Sequence, residues 1–171
     1  LIIALAFYYK DNSNDYTLIL VSLIGSLLAV SSANIFVLFI SLQVMVIPLY
    51  LLIYYRIKPA IKYFILSSMF MAVMLYGLTL VYGVTGFGNY TEAAKFLSFN
   101  PFNALVMITA VILITSGFAY IMLLAPFNLS FPLLAEKIRL PHLAQFAVIN
   151  VITVLLVSVR FYITIFHDTN T

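Results

Sequence analysis

Apolar positions run almost unbroken along the chain, and the polar ones fall in short clusters between them. No Asp, Glu, Lys or Arg occurs from Tyr16 to Tyr55, Tyr63 to Thr91, Phe96 to Ala135 or Leu140 to Val159, runs of 40, 29, 40 and 20 residues. A helix crossing a bilayer needs about 20 apolar residues, so each run is long enough for one span or two. A membrane strand would instead alternate polar and apolar positions over about 10 residues. No such alternation is present, and the pattern predicts an all-α membrane protein.

The polar clusters set the boundaries. Lys10 to Asp15 reads as a loop, and Ser31-Ser32-Ala33-Asn34 as a tight turn dividing the first long run. Helices are predicted over 16–30, 34–55 (with Pro48 inside), 61–84, 102–124 and 142–166. That makes about five transmembrane helices in a single helical domain, 1–171. Arg56-Ile57-Lys58-Pro59 is a basic link, Gly83, Gly86 and Gly88 stop the third helix, and 86–101 reads as the longest polar connection. Between Leu124 and His142, Pro126, Pro132 and Asn128 forbid a continuous helix. Non-helical backbone at membrane depth survives only where protein buries it or it lines a wet cavity, so this stretch is either a broken helix or a helix end followed by an interfacial loop. Residues 1–9 are apolar but span only about 13 Å as helix. They read as a partial helix, a surface-lying end or the tail of a longer helix.

Composition agrees: 65% of residues are hydrophobic and 8% charged, against about 25% charged in soluble domains. Placement of the charges matters more than the net +3. Lys10, Arg56, Lys58, Lys62, Lys137 and Arg139 fall on one side of the predicted bundle, Lys95 and Arg160 on the other, which puts the first side in the cytoplasm or matrix. No basic patch interleaved with aromatics points to nucleic acid. There is no cysteine, and His142 and His167 stand 25 residues apart, so neither thiolate nor local histidine metal ligation is expected. No Ser–His–carboxylate set, phosphate-binding glycine loop or paired carboxylates appears. The expectation is a chain with no catalytic centre, cofactor or soluble substrate, and with lipids as neighbours. Heavy use of Phe, Tyr, Ile and Leu without Trp is what an AT-rich coding sequence gives, as organellar genomes often are.

Three polar residues inside the predicted helices are proton-path candidates. Lys62 stands one turn into a helix and reads equally as a lysine snorkelling to the interface. Gln43 lies well inside a span, where an amide commonly bonds a neighbouring helix. Asn150, with Asn128 and Ser130, could cap exposed backbone or bind water. Glu136, Lys137 and Arg139 read as an interfacial charge cluster, Tyr54, Tyr55, Tyr76 and Tyr82 as interfacial anchors, and Arg160 as a snorkelling end. Asn89-Tyr90-Thr91 fits a glycosylation sequon, which a protein made inside an organelle never presents to the enzyme.

Several segments together resemble subunit 2 of respiratory NADH dehydrogenase (complex I), one of its antiporter-like membrane subunits. Ser32-Ala33-Asn34, Gln43 and Pro48-Leu49-Tyr50 look like that family's Ser-Ala-Asn…Glu…Pro-Leu-Tyr helix. Ala60-Ile61-Lys62-Tyr63-Phe64-Ile65-Leu66 is similar to its Ala-Leu-Lys-Tyr-Phe motif, and Leu75-Tyr76-Gly77 with Tyr82-Gly83-Val84-Thr85-Gly86 continues in register. Ala125-Pro126-Phe127, Pro132, Glu136 and Pro141 follow the family's Pro-Phe broken-helix segment. The resemblance covers 17–150 and implies part of an antiporter-like helix bundle, in the mitochondrial inner membrane or a bacterial plasma membrane. It also implies other complex I membrane subunits as partners, among them a chain supplying a missing second half. The family's ionisable positions are changed: its Glu falls on Gln43, and two of its lysines fall on Ile121 and Val151, leaving Lys62. Gln43 cannot titrate, so the resemblance implies a mainly structural subunit with a degenerate proton channel. A subunit of a multi-subunit cation/proton antiporter and a small membrane scaffold protein are the alternatives.

Overall fold

The computed structural model describes residues 13–54, 60–99, 104–124 and 148–166. Six helices form among them: α1 (Ser13–Ser31), α2 (Ile35–Tyr54), α3 (Ala60–Thr85), α4 (Tyr90–Phe99), α5 (Ala104–Ile121) and α6 (Asn150–Phe166). The only β pairing among the described residues is an isolated bridge between Asn34 and Asn89. Two helical stretches, Phe64–Thr85 and Ala104–Ile121, are long and apolar enough by themselves to cross a membrane; Thr17–Ser31, Ile35–Pro48 and Asn150–Ile165 are shorter apolar stretches. The predicted break at 126–141, the charge cluster beside it and the 1–9 segment lie outside the described residues.

Three boundaries differ from expectation. Helix α1 begins at Ser13, inside the stretch Lys10 to Asp15 read as a loop, so Ser13, Asn14 and Asp15 form its polar first turn. The stretch 86–101 is not simply a polar connection, because α4 occupies most of it. Its apolar residues recur at helical spacing: Tyr90, Ala93, Ala94 and Leu97 are buried, one above another on a single face. Asn89 starts the helix by accepting the backbone N–H of Thr91 at 3.3 Å, and Glu92 in the first turn suits the positive helix end. Helix α5 stops at Ile121 rather than 124. The N–H of Leu124 reaches the Ala119 carbonyl and that of Leu123 the Tyr120 carbonyl, with Leu123 left-handed at φ 58°. This is a Schellman end with leucine in the place glycine usually takes, shortly before Pro126.

Packing rests on small residues, as expected where lipid is as apolar as leucine and helices associate by close approach. Ser22, Ser26 and Ala29 are buried on one face of α1, and Gly25 lies between them against the backbone of α2. A Cβ on Gly25 would stand 2.7 Å from Met45 Cα and 2.8 Å from the Val44 carbonyl carbon. Helices α3 and α5 meet the same way: a Cβ on Gly77 would be 2.9 Å from Ile114 Cγ1, and one on Gly117 would be 2.9 Å from Met74 Sδ. Ile35, Leu38, Leu42, Met45, Met74, Leu78, Ile114 and Phe161 form the fully buried centre. Large apolar residues also cover the outside, with Leu27 71% and Leu105 76% exposed, as suits helices bathed in hydrocarbon.

One end of the bundle is laced by backbone. The Ile35 N–H donates to the Gly88 carbonyl at 2.8 Å, and the Tyr90 N–H donates to the Ala33 carbonyl at 3.1 Å. Each turn thus satisfies a free donor at the start of the other turn's helix. Ser32 Oγ and Tyr90 Oη lie 3.4 Å apart, and Tyr90 packs edge-on against Phe161 at 5.4 Å. Arg160 donates to the Val30 carbonyl, placing a cation on the last turn of α1, where the helix dipole favours it. The α1–α2 turn, the α3–α4 turn and the end of α6 therefore share one level.

Candidate functional site

Gln43 lies on α2 and faces a cleft of about 300 Å³ between α2 and α3. Phe39, Ile47 and Tyr50 line it from α2; Phe64, Ser67, Ser68, Met71, Ala72 and Leu75 line it from α3. The lining is overwhelmingly apolar. Ser67 and Ser68 donate to the carbonyls of Phe64 and Ile65 in their own helix, which occupies their donors. Tyr50 is buried, stands edge-on to Phe64 at 5.6 Å and bonds Ser67 through its hydroxyl. Tyr50 enters the sequence reading only as part of Pro48-Leu49-Tyr50, and Ser67 is not a candidate there, since a lone serine and a Tyr one turn from a helix end are common anywhere in a membrane protein.

The other two candidates lie elsewhere. Lys62 is in the first turn of α3, and its side chain lies outside the described residues. Asn150 opens α6, is buried, and its Oδ1 has no hydrogen-bond partner among the described residues. Asn150 is not among the described residues that line the Gln43 cleft, so Asn150 and Gln43 do not share that cavity. Ile121, at the end of α5, is buried in the core, and Val151 is half-buried on α6. No group of three metal-capable side chains occurs among the described residues. Among the anchors, Tyr82 sits in the last turn of α3 and meets Phe36 edge-on at 5.1 Å. Tyr76 is exposed nine residues before Thr85, deeper than an interfacial ring.

Chemically the cleft offers an amide and hydroxyls in an apolar slot, groups that accept and donate hydrogen bonds but hold no charge. The fold around it is a known one. A chain of respiratory complex I from Thermus thermophilus, solved with bound aureothin, superposes with a TM-score of 0.76 over 89% of this chain and 35% of its own, at 24% identity. No family model matches the sequence. Curated sequences do: NADH-quinone oxidoreductase subunit N of Wolbachia sp. subsp. Brugia malayi is 35% identical over 121 residues, 67% of this chain and 26% of its own. This chain is a relative of NADH-quinone oxidoreductase subunit N. The subunit N of Herminiimonas arsenicoxydans is 29% identical over 123 residues, and that of Desulfitobacterium hafniense is 28% identical over 159 residues, 90% of this chain. The chain spans about a quarter to a third of the length of these subunit N relatives. The chain is thus similar to subunit N over 67–90% of its length, its described residues are helical apart from short turns, and the resemblance to complex I read from the sequence is borne out.

Proposed function

We propose that this chain is a membrane-arm subunit of a proton-translocating NADH:quinone oxidoreductase, mainly structural, with a degenerate proton channel. Its kinship with subunit N supports the assignment to that assembly. The observation that carries the structural role is the absence of charge where a channel needs it. Residues 16–54, 64–85 and 104–121 hold no Asp, Glu, Lys or Arg, and 150–166 hold only Arg160, which is engaged with α1 at the laced end. Proton carriage needs titratable groups at depth, and such groups are costly there, so a lineage that no longer uses them gains by replacing them. Gln43 can hydrogen-bond but cannot titrate, the Asn150 amide cannot titrate either, and Lys62 alone cannot form a relay.

In this reading five helices (α1, α2, α3, α5 and α6) cross the bilayer as one unit, with α4 lying across their ends and a broken segment between α5 and α6. The remaining helices of a full antiporter-like bundle come from a partner chain, alongside other complex I subunits and lipid. The AT-rich residue usage favours a mitochondrial inner membrane.

The test is the proton-to-electron ratio of the intact assembly in sealed vesicles. A ratio below that of assemblies with every ionisable position intact is expected; an equal ratio refutes the degenerate channel. Gln43→Glu is expected to leave the ratio unchanged, since its partners at positions 121 and 151 remain apolar.

A further inference from the structure

Proline at 48 lies inside α2 and has no N–H, so the carbonyl of Val44, four residues back, loses its helical donor. In lipid such a group must be satisfied by a neighbouring helix, a hydroxyl or an ordered water. The neighbour is α1, whose Gly25 lies against the backbone of Val44 and Met45. Ser22 is one turn before Gly25 on the same face. Because α1 and α2 join through the turn at 32–34 and run antiparallel, Ser22 stands one turn further toward the C-terminal end of α2, level with Pro48. The Val44 carbonyl points the same way, as every helical carbonyl does.

Ser22 behaves unlike its fellows. Nine other serines with described side chains (Ser26, Ser31, Ser32, Ser41, Ser67, Ser68, Ser98, Ser116 and Ser158) each donate to a carbonyl three or four residues back. The Ser22 hydroxyl is completely buried and bonds nothing among the described residues. A buried hydroxyl without an acceptor and a carbonyl to which its own helix offers no donor at Pro48 thus lie at the same level of the α1–α2 seam. Two polar partners are what a buried water needs.

We infer that α1 and α2 hold one water molecule between Ser22 Oγ and the Val44 carbonyl, a hydration site built around Pro48 deep in the bundle. The hydroxyl donates to the water, and the water donates to the carbonyl. The site contains no charge and lies on the face of α2 turned toward α1, whereas Gln43 faces α3. It does not depend on whether protons are carried. Pro48→Ala restores the N–H to Val44, leaving the water one acceptor short, so Ser22 and Pro48 are energetically coupled through it.

Two measurements on the intact assembly decide the matter. A cryo-EM map at a resolution that shows waters is expected to place density within hydrogen-bond distance of both Ser22 Oγ and Val44 O; clear side-chain density there with none between overturns the site. Thermal midpoints of Ser22→Ala, Pro48→Ala and the double variant form a cycle. Ser22→Ala is expected to lower the midpoint by about 2–4 °C in the native background and by much less beside Pro48→Ala. Equal losses in both backgrounds overturn the coupling.

Discussion

Glycine positions show how one atom's space sets the sign of a substitution. At Gly25 a Cβ would press into the backbone of Met45 and Val44, which cannot give way without moving the helix. Gly25→Ala is expected to destabilise the α1–α2 pair by about 3 kcal/mol, the upper range for overpacking. Gly83 lies inside α3 with nothing within 4 Å of the added atom. Gly83→Ala is expected to stabilise by about 0.5–1 kcal/mol; thermal unfolding of both variants in detergent checks the opposite signs. Tyr90 supplies a pH-dependent term at the same scale. Burial chiefly, against the opposing effects of Ser32 and Arg160, raises its pKa above the usual 10.0. The folded state thus favours the neutral phenol. Its contribution is full below pH 10 and is lost as pH rises through the elevated folded value. Tyr90→Phe is expected to flatten the alkaline limb of a stability–pH curve, and an unchanged limb counts against the assignment.

Among the elements, the long helices were legible because twenty apolar residues in lipid have little choice but to be helical. The turn at Ser31 to Asn34 and the glycine stop near Gly86 were legible from local chemistry. Helix α4 was hidden by the polar residues Thr91, Glu92, Lys95 and Ser98, although Tyr90, Ala93, Ala94 and Leu97 carried the helical period all along. A short amphipathic helix is easily taken for a loop when its neighbours are uniformly apolar. Its two faces predict opposite sensitivities. Ala94→Asp puts an unpaired charge in a buried seam and is expected to release α4, read as faster proteolysis between α3 and α5. Lys95→Glu on the exposed face is expected to stay within about 0.5 kcal/mol of the parent. At the candidate site, sequence located Gln43 in a span but not the cleft it faces, since that depends on which face of α3 meets α2. It also did not foresee that Gln43 and Asn150 point into different parts of the bundle.

On the scale of the whole molecule, α6 and the turn that leads into it present an apolar stripe that the described residues leave uncovered. Val148, Ile152, Leu155, Leu156, Val159 and Ile163 are each about half exposed and fall on one stripe. Under the proposed function, helices of other complex I membrane subunits are the expected cover. A photo-crosslinking residue at Leu155 in the native membrane should capture protein; capture of lipid alone refutes this. The joint at the laced end carries a different consequence. The α1–α2 and α3–α4 turns hold each other through main-chain groups, Ile35 to Gly88 and Tyr90 to Ala33, and main-chain groups are the same whatever residue is written there. Such a clasp is nearly blind to genetic drift. Of all single replacements at 35 or 90, proline alone deletes the donor itself, so a lineage can rewrite this end extensively and still inherit the same architecture.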